Sequence, residues 1–149
     1  MPDAFPTYGP GRTIDELAVG DSASIERTFS QEDIDAFARI SGDDNPAHVD
    51  AAWADASIFG GRVAHGVLTA GLISAVLGTQ LPGPGSIYMS QTLKWLAPVK
   101  PGEALTATVT VREIVAEKRR VVLDTVVTRG EDVVLTGEAL VMPPRGGAS

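Results

Sequence analysis

Between Val67 and Leu77 the chain reads VLTAGLISAVL, a run that is apolar or small at every position and carries no charge. A surface helix needs a polar face, so a helix with this composition must be enclosed on most sides by the rest of the chain. Gly78 is expected to end it, and LPGPG then makes a rigid connection. Beyond that point the period changes from helical to two. Ser86–Ala97, Ala104–Val115, Arg120–Arg129 and Val133–Met142 are rich in Val, Thr, Leu and Ile and are parted by turn residues, so they predict an antiparallel meander. In the third, Val121, Leu123, Thr125 and Val127 fall on one face. With an earlier strand at Ala23–Phe29, the pattern predicts an α+β layer in which a sheet wraps one long apolar helix.

The segment before the apolar helix is of a different kind. Ser30 followed by Gln-Glu-Asp has the form of a helix start, with an N-cap and acid in the first turn. Ile34, Phe37, Ala38 and Ile40 supply an apolar face. Near Ser41 or Gly42 the helix must stop, because Gly is a favoured exit and Pro46 pushes Asn45 out of helical geometry. SGDDNPAHVD, residues 41–50, therefore predicts a turn that brings Asp43 and His48 together.

The protein has only two histidines, His48 and His65. Beside a carboxylate an imidazole is more readily protonated, and both groups can hold one water. That is the minimal equipment for adding water to a polarised double bond or removing it. His65-Gly66 precedes the apolar helix, so the Gly66 N–H lies at the positive helix end without an intrahelical acceptor. A carbonyl oxygen docked there would be stabilised as it gains charge. Turn capping by Asp43 and Asn45, and close packing by Gly66, are the plainer roles open to the same residues.

Composition removes several other chemistries. Cysteine is absent, and with it disulfides and thiolate chemistry. A net charge of −7 argues against nucleic acid as the main partner, since phosphate neutralisation calls for a basic surface. Lys118, Arg119 and Arg120 form a local cationic cluster at a hairpin. No signal peptide or membrane span is expected, and cytoplasmic residence is. Residues 1–12 read as a loosely ordered arm, 13–144 as a single domain and 145–149 as a flexible tail. The spacing of His48 and His65 fits no compact metal motif, so no metal is expected.

GDDNPAHVD, then AHGVLTAGLIS, GSIYMSQTLKWLAPVKPGE and TGEALVMPP together resemble the MaoC-like (R)-specific enoyl-CoA hydratases over roughly residues 17–144. The resemblance implies the hot-dog fold. It makes Asp43 and His48 the catalytic pair, Gly66 the oxyanion donor, Asn45 a residue fixing the loop or the ligand, and Ser74 a residue lining the site, with His65 structural. The implied reaction is reversible hydration of a trans-2-enoyl-CoA to the (R)-3-hydroxyacyl-CoA, with no cofactor beyond the coenzyme A of the substrate. Dehydration of an acyl-carrier-protein thioester and non-catalytic thioester binding are the alternatives. A homodimer or larger homo-oligomer is expected, because a single hot-dog unit leaves a sheet edge open.

Overall fold

The computed structural model describes residues 4–146; the first three residues of the expected arm and the last three of the expected tail lie outside the described residues. Among the described residues, four α-helices and six strands follow in the order β1 (Ser22–Thr28), α1 (Gln31–Ser41), α2 (Pro46–Val49), α3 (Ala51–Asp55), α4 (Gly66–Thr79), β2 (Ile87–Gln91), β3 (Lys94–Trp95), β4 (Ala104–Val115), β5 (Arg120–Arg129) and β6 (Asp132–Met142). All pairings are antiparallel. The strands lie in the order β1-β4-β5-β6-β2, with β3 also pairing β6. The sheet packs around α4, which gives the α+β layer of a hot-dog fold.

Alternation explains the sheet. On β5, Val121, Leu123, Thr125 and Val127 are buried, and on β4 Leu105, Ala107, Val109 and Val111 join them. Across this face lie Leu72, Ile73, Val76 and Leu77 of α4. Each of the Leu, Ile and Val side chains contributes about 1.5–3 kcal/mol through burial.

Three local expectations change. The helix runs two residues further than expected, through Gly78 to Thr79, because enclosure by the sheet outweighs the modest cost of one interior glycine. Its enclosure is also incomplete: Val67, Gly71, Ser74 and Gly78 form an exposed stripe. The predicted strand Ser86–Ala97 is two strands, β2 and β3. Its chain breaks where the Thr92 N–H donates to the Glu138 carbonyl and the Glu138 N–H donates to Thr92 Oγ1, at 2.9 Å each. There the Thr92 carbonyl crosses Gly137 so closely that a Cβ would sit 1.8 Å from its oxygen. Nor is the meander continuous in chain order. β2 lies beside β6 rather than β4, since the chain leaving α4 through Leu81–Gly85 re-enters on the far side of the sheet.

Local signals hold α1 as expected. Ser30 accepts from the Asp33 N–H, Asp33 returns a bond to the Ser30 N–H, and Gly42 closes the helix at φ 83°. The arm ends against the body, with the Arg12 N–H donating to the Pro82 carbonyl at 2.7 Å. Among the described residues no helix is long and apolar enough to cross a membrane.

Candidate active site

The turn expected from SGDDNPAHVD contains the short helix α2, and its last residue, Asp50, starts α3 directly after it. Asn45 Oδ1 accepts from the Ala47 N–H at 3.0 Å and starts α2, with Pro46 at the position where proline costs no hydrogen bond. Asp50 Oδ1 accepts from the Trp53 N–H at 3.1 Å and starts α3. Asn45 thus fixes the loop. One helical turn of α2 lifts His48 towards the start of α4, and its backbone carbonyl accepts from Gln31 Nε2 at 2.8 Å, tying it to α1.

The two histidine runs face each other. The His48 and His65 rings stack with centroids 3.7 Å apart and planes 25° from parallel. His48 Nδ1 lies 2.7 Å from the Val63 carbonyl. A carbonyl only accepts, so Nδ1 carries hydrogen and Nε2 is the nitrogen left to exchange a proton. His65 is 2% exposed. Its Nε2–H donates to the Asp43 backbone carbonyl at 2.8 Å, while its Nδ1 is buried without a partner. The bond ties the Asp43 loop to the ring stacked on His48.

Asp43, His48 and His65 bring their ligand atoms within 4.8 Å of one another, a spacing that invites a metal reading. Stacked rings oppose it. Their lone pairs lie in two nearly parallel planes, whereas a bound zinc needs both to converge on one point about 2.0–2.1 Å from each nitrogen.

Gly66 opens α4, with His65 as the capping residue, and among the described residues nothing accepts from its N–H. Trp95 lies over it: the indole Nε1–H donates to the Gly66 carbonyl at 3.0 Å, and a Cβ on Gly66 would meet Nε1 and Cε2 at 2.8 Å. With the indole in this place there is no room for a side chain at Gly66. Beside it opens a cavity of about 390 Å³, bordered by His48, Val63, Gly66, Phe59, Trp95 and Pro98.

The structure therefore brings Asp43, His48 and Gly66 into one region, though Asp43 stands exposed beside the histidine pair rather than on the cavity wall. Ser74 is not brought there. It lies eight residues along α4, roughly 12 Å, on the exposed stripe. Sequence reasoning missed Trp95, the Val63 carbonyl and Phe59. Trp95 had a faint signal as one of only two tryptophans in the chain, while a backbone carbonyl leaves none.

A family model described as a MaoC like domain matches residues 18–134. The (R)-specific enoyl-CoA hydratase of Rhodospirillum rubrum is 51% identical over 134 residues, covering 90% of this chain and 93% of that protein. The 3-hydroxybutyryl-CoA dehydratase of Methylorubrum extorquens is 47% identical, covering 89% and 84% respectively. Among solved structures, the unliganded R-hydratase of Pseudomonas aeruginosa superposes with a TM-score of 0.86 at 42% identity, covering 91% of this chain and 88% of that one. With the whole histidine-paired site inside the matched span, this chain belongs to the MaoC-like domain family.

Proposed function

We propose that this protein is an (R)-specific enoyl-CoA hydratase, a hydro-lyase that adds water reversibly to a trans-2-enoyl-CoA. The observation that carries the reading is the meeting of His48 with an unpaired helix-start N–H at an apolar cavity, with Asp43 beside the histidine. A thioester oxygen accepting from the Gly66 N–H draws electron density from the conjugated double bond and leaves C3 electrophilic. Water held between Asp43 and His48 attacks C3 as Asp43 accepts its proton. His48 Nε2 delivers a proton to C2. The two groups lie close enough for the proton on Asp43 to return to His48, so the pair resets and one water has been added.

Because Val63 holds Nδ1–H whether or not Nε2 is protonated, the ring keeps its orientation through the cycle. The (R) configuration rests on the hydratase relatives, not on the geometry. No metal or cofactor enters the proposed step, since it moves only water and a proton. The apolar cavity suits the acyl portion of the substrate.

A homodimer is part of the same reading. β2 ends the sheet with only β6 beside it and exposes Ile87, Tyr88 and Met89, an edge that a second copy can cover. Ser74 and the rest of the open α4 stripe would come to line the acyl site in that assembly.

The test is loss of enoyl-thioester absorbance with crotonyl-CoA, with separation of the product enantiomers. Positioned acid–base groups contribute about 10²–10⁴-fold, so Asp43→Asn and His48→Ala should each lose activity on that order. Undiminished turnover in both variants would refute the assignment.

A further inference from the structure

At the hairpin joining β4 and β5, Lys118, Arg119 and Arg120 meet Arg145 from the far end of the chain around a cavity of about 340 Å³. Glu117 and Met142 complete its border. Among the described residues none of the four cations lies within 4.0 Å of a carboxylate; Arg12, Arg112 and Arg129 are paired, while Arg27, Arg39, Arg62, Lys94 and Lys100 are not. Gathering four like charges without a counterion is unfavourable, and in a chain of net charge −7 it is not a matter of surplus base.

Arg119 supplies an independent observation. It is the only non-glycine residue with positive φ among the described residues, at 53°, and such backbone strain persists where the surroundings fix it. Its Nε is buried without an acceptor, and its Nη2 has only the weakly accepting Met142 thioether, at 2.9 Å. A guanidinium in this condition lacks the oxyanion that its planar donors match.

Position indicates which anion. Met142 pairs with Ile87 at one end of β2, while Trp95, over Gly66, pairs with Leu135. Within one chain the basic cavity thus lies seven residues along β6 from the reaction pocket, roughly 23 Å. A two-fold axis through the open edge of β2 would run the two copies of that strand antiparallel. The Ile87 end of one copy, with its basic cavity, then stands beside the Gln91 end of the other, the end nearest the other's reaction pocket.

We propose that the Lys118, Arg119, Arg120 and Arg145 cavity is a phosphate site, which takes the phosphates at the nucleotide end of a coenzyme A thioester bound in the second copy's reaction pocket. The inference rests on the hydratase reading for its ligand, and on the paired β2 edges for its reach. A carrier-protein thioester offers the same chemistry through its phosphodiester.

The test uses the full chain and Lys118→Ala/Arg145→Ala, two exposed side chains outside the hairpin's own hydrogen bonds. Adenosine 3′,5′-bisphosphate, which has phosphates but no thioester, should bind the wild type by calorimetry and bind the variant about tenfold more weakly, as expected for a few partly exposed charge pairs. KM for crotonyl-CoA should rise by about the same factor with kcat unchanged, while crotonyl-pantetheine, which lacks those phosphates, is turned over equally by both proteins. Equal bisphosphate affinity in the two proteins, or KM values that rise together for the two thioesters, would overturn the proposal. A wild type inactive on both thioesters that still binds the bisphosphate, with the variant weakened, would sink the hydratase reading and leave the phosphate site standing. Loss in the variant of a preference for carrier-protein-borne crotonate would overturn the coenzyme assignment. Mixed dimers of Asp43→Asn with Lys118→Glu/Arg145→Glu should keep the low KM, because the surviving reaction pocket faces the intact cavity. A raised KM in them would place the phosphates on the same chain and overturn the contribution from the second copy.

Discussion

Replacing Gly66 by alanine adds one methyl group beneath Trp95, and its consequences can be followed atom by atom. The new carbon would lie 2.8 Å from the indole Nε1 and Cε2. Ordinary contact begins at 3.4 Å, so the ring or the start of α4 must give way by about 0.6 Å. Nε1 is also the donor to the Gly66 carbonyl at 3.0 Å; a retreat of that size stretches the bond towards 3.6 Å, where it no longer counts as one. The stability loss is then about 1 kcal/mol, or roughly 2–4 °C in Tm for a chain of this size. Activity should suffer far more. The same displacement moves or screens the N–H offered to the thioester oxygen, and loss of one oxyanion donor costs about 10²–10³-fold in kcat. Crotonyl-CoA kinetics and a thermal melt on the same preparation separate the two effects. A Gly66→Ala protein within about threefold of wild-type kcat/KM would refute the placement of the oxyanion at this N–H.

Four further outcomes are expected. His65→Phe keeps the stacking and most of the volume but releases the Asp43 carbonyl; kcat should fall at least tenfold with KM little changed, for a stability cost of about 1 kcal/mol read by denaturant unfolding. Gly137→Ala forces a Cβ onto the Thr92 carbonyl, so it should lower stability by more than about 4 kcal/mol or prevent folding, as judged by circular dichroism. Met89→Lys puts a charge on the open edge of β2 and should shift the protein to monomer in sedimentation while lowering activity. Partial desolvation pushes the hydroxyl of the half-exposed Tyr88 up to about 12 from 10.0. Its proton is held more tightly in the folded state, so the associated stability is intact below pH 10 and declines towards pH 12, which an alkaline unfolding series can follow.

What could be read from the sequence depended on whether the determining contacts are local. Ser30, Gly42 and the alternating β5 residues act on their near neighbours, and those elements appear where the pattern put them. The fracture of Ser86–Ala97 depends instead on Gly137, 45 residues beyond Thr92, and no periodicity reports that contact. In the site, Asp43, His48 and Gly66 announced themselves by residue type and by the turn and helix start that hold them. Their supports did not. The Val63 carbonyl is chemically anonymous, and Trp95 reaches Gly66 only because β3 lies beside β6. Ser74 shows the limit in the opposite direction: its place on α4 was legible, but a stripe facing outward needs another surface before it can line anything.

The indole poised over Gly66 also gives the protein a built-in optical probe. Only two tryptophans are present, and the other, Trp53, lies on α3. With Trp53→Phe, emission would come from Trp95 alone, whose ring borders the cavity and is 44% exposed. An acyl chain entering that cavity replaces water against the ring and should shift the emission to shorter wavelength. Arrival of substrate could then be timed by stopped flow in a variant that binds without turning over, separating docking from chemistry without an added label.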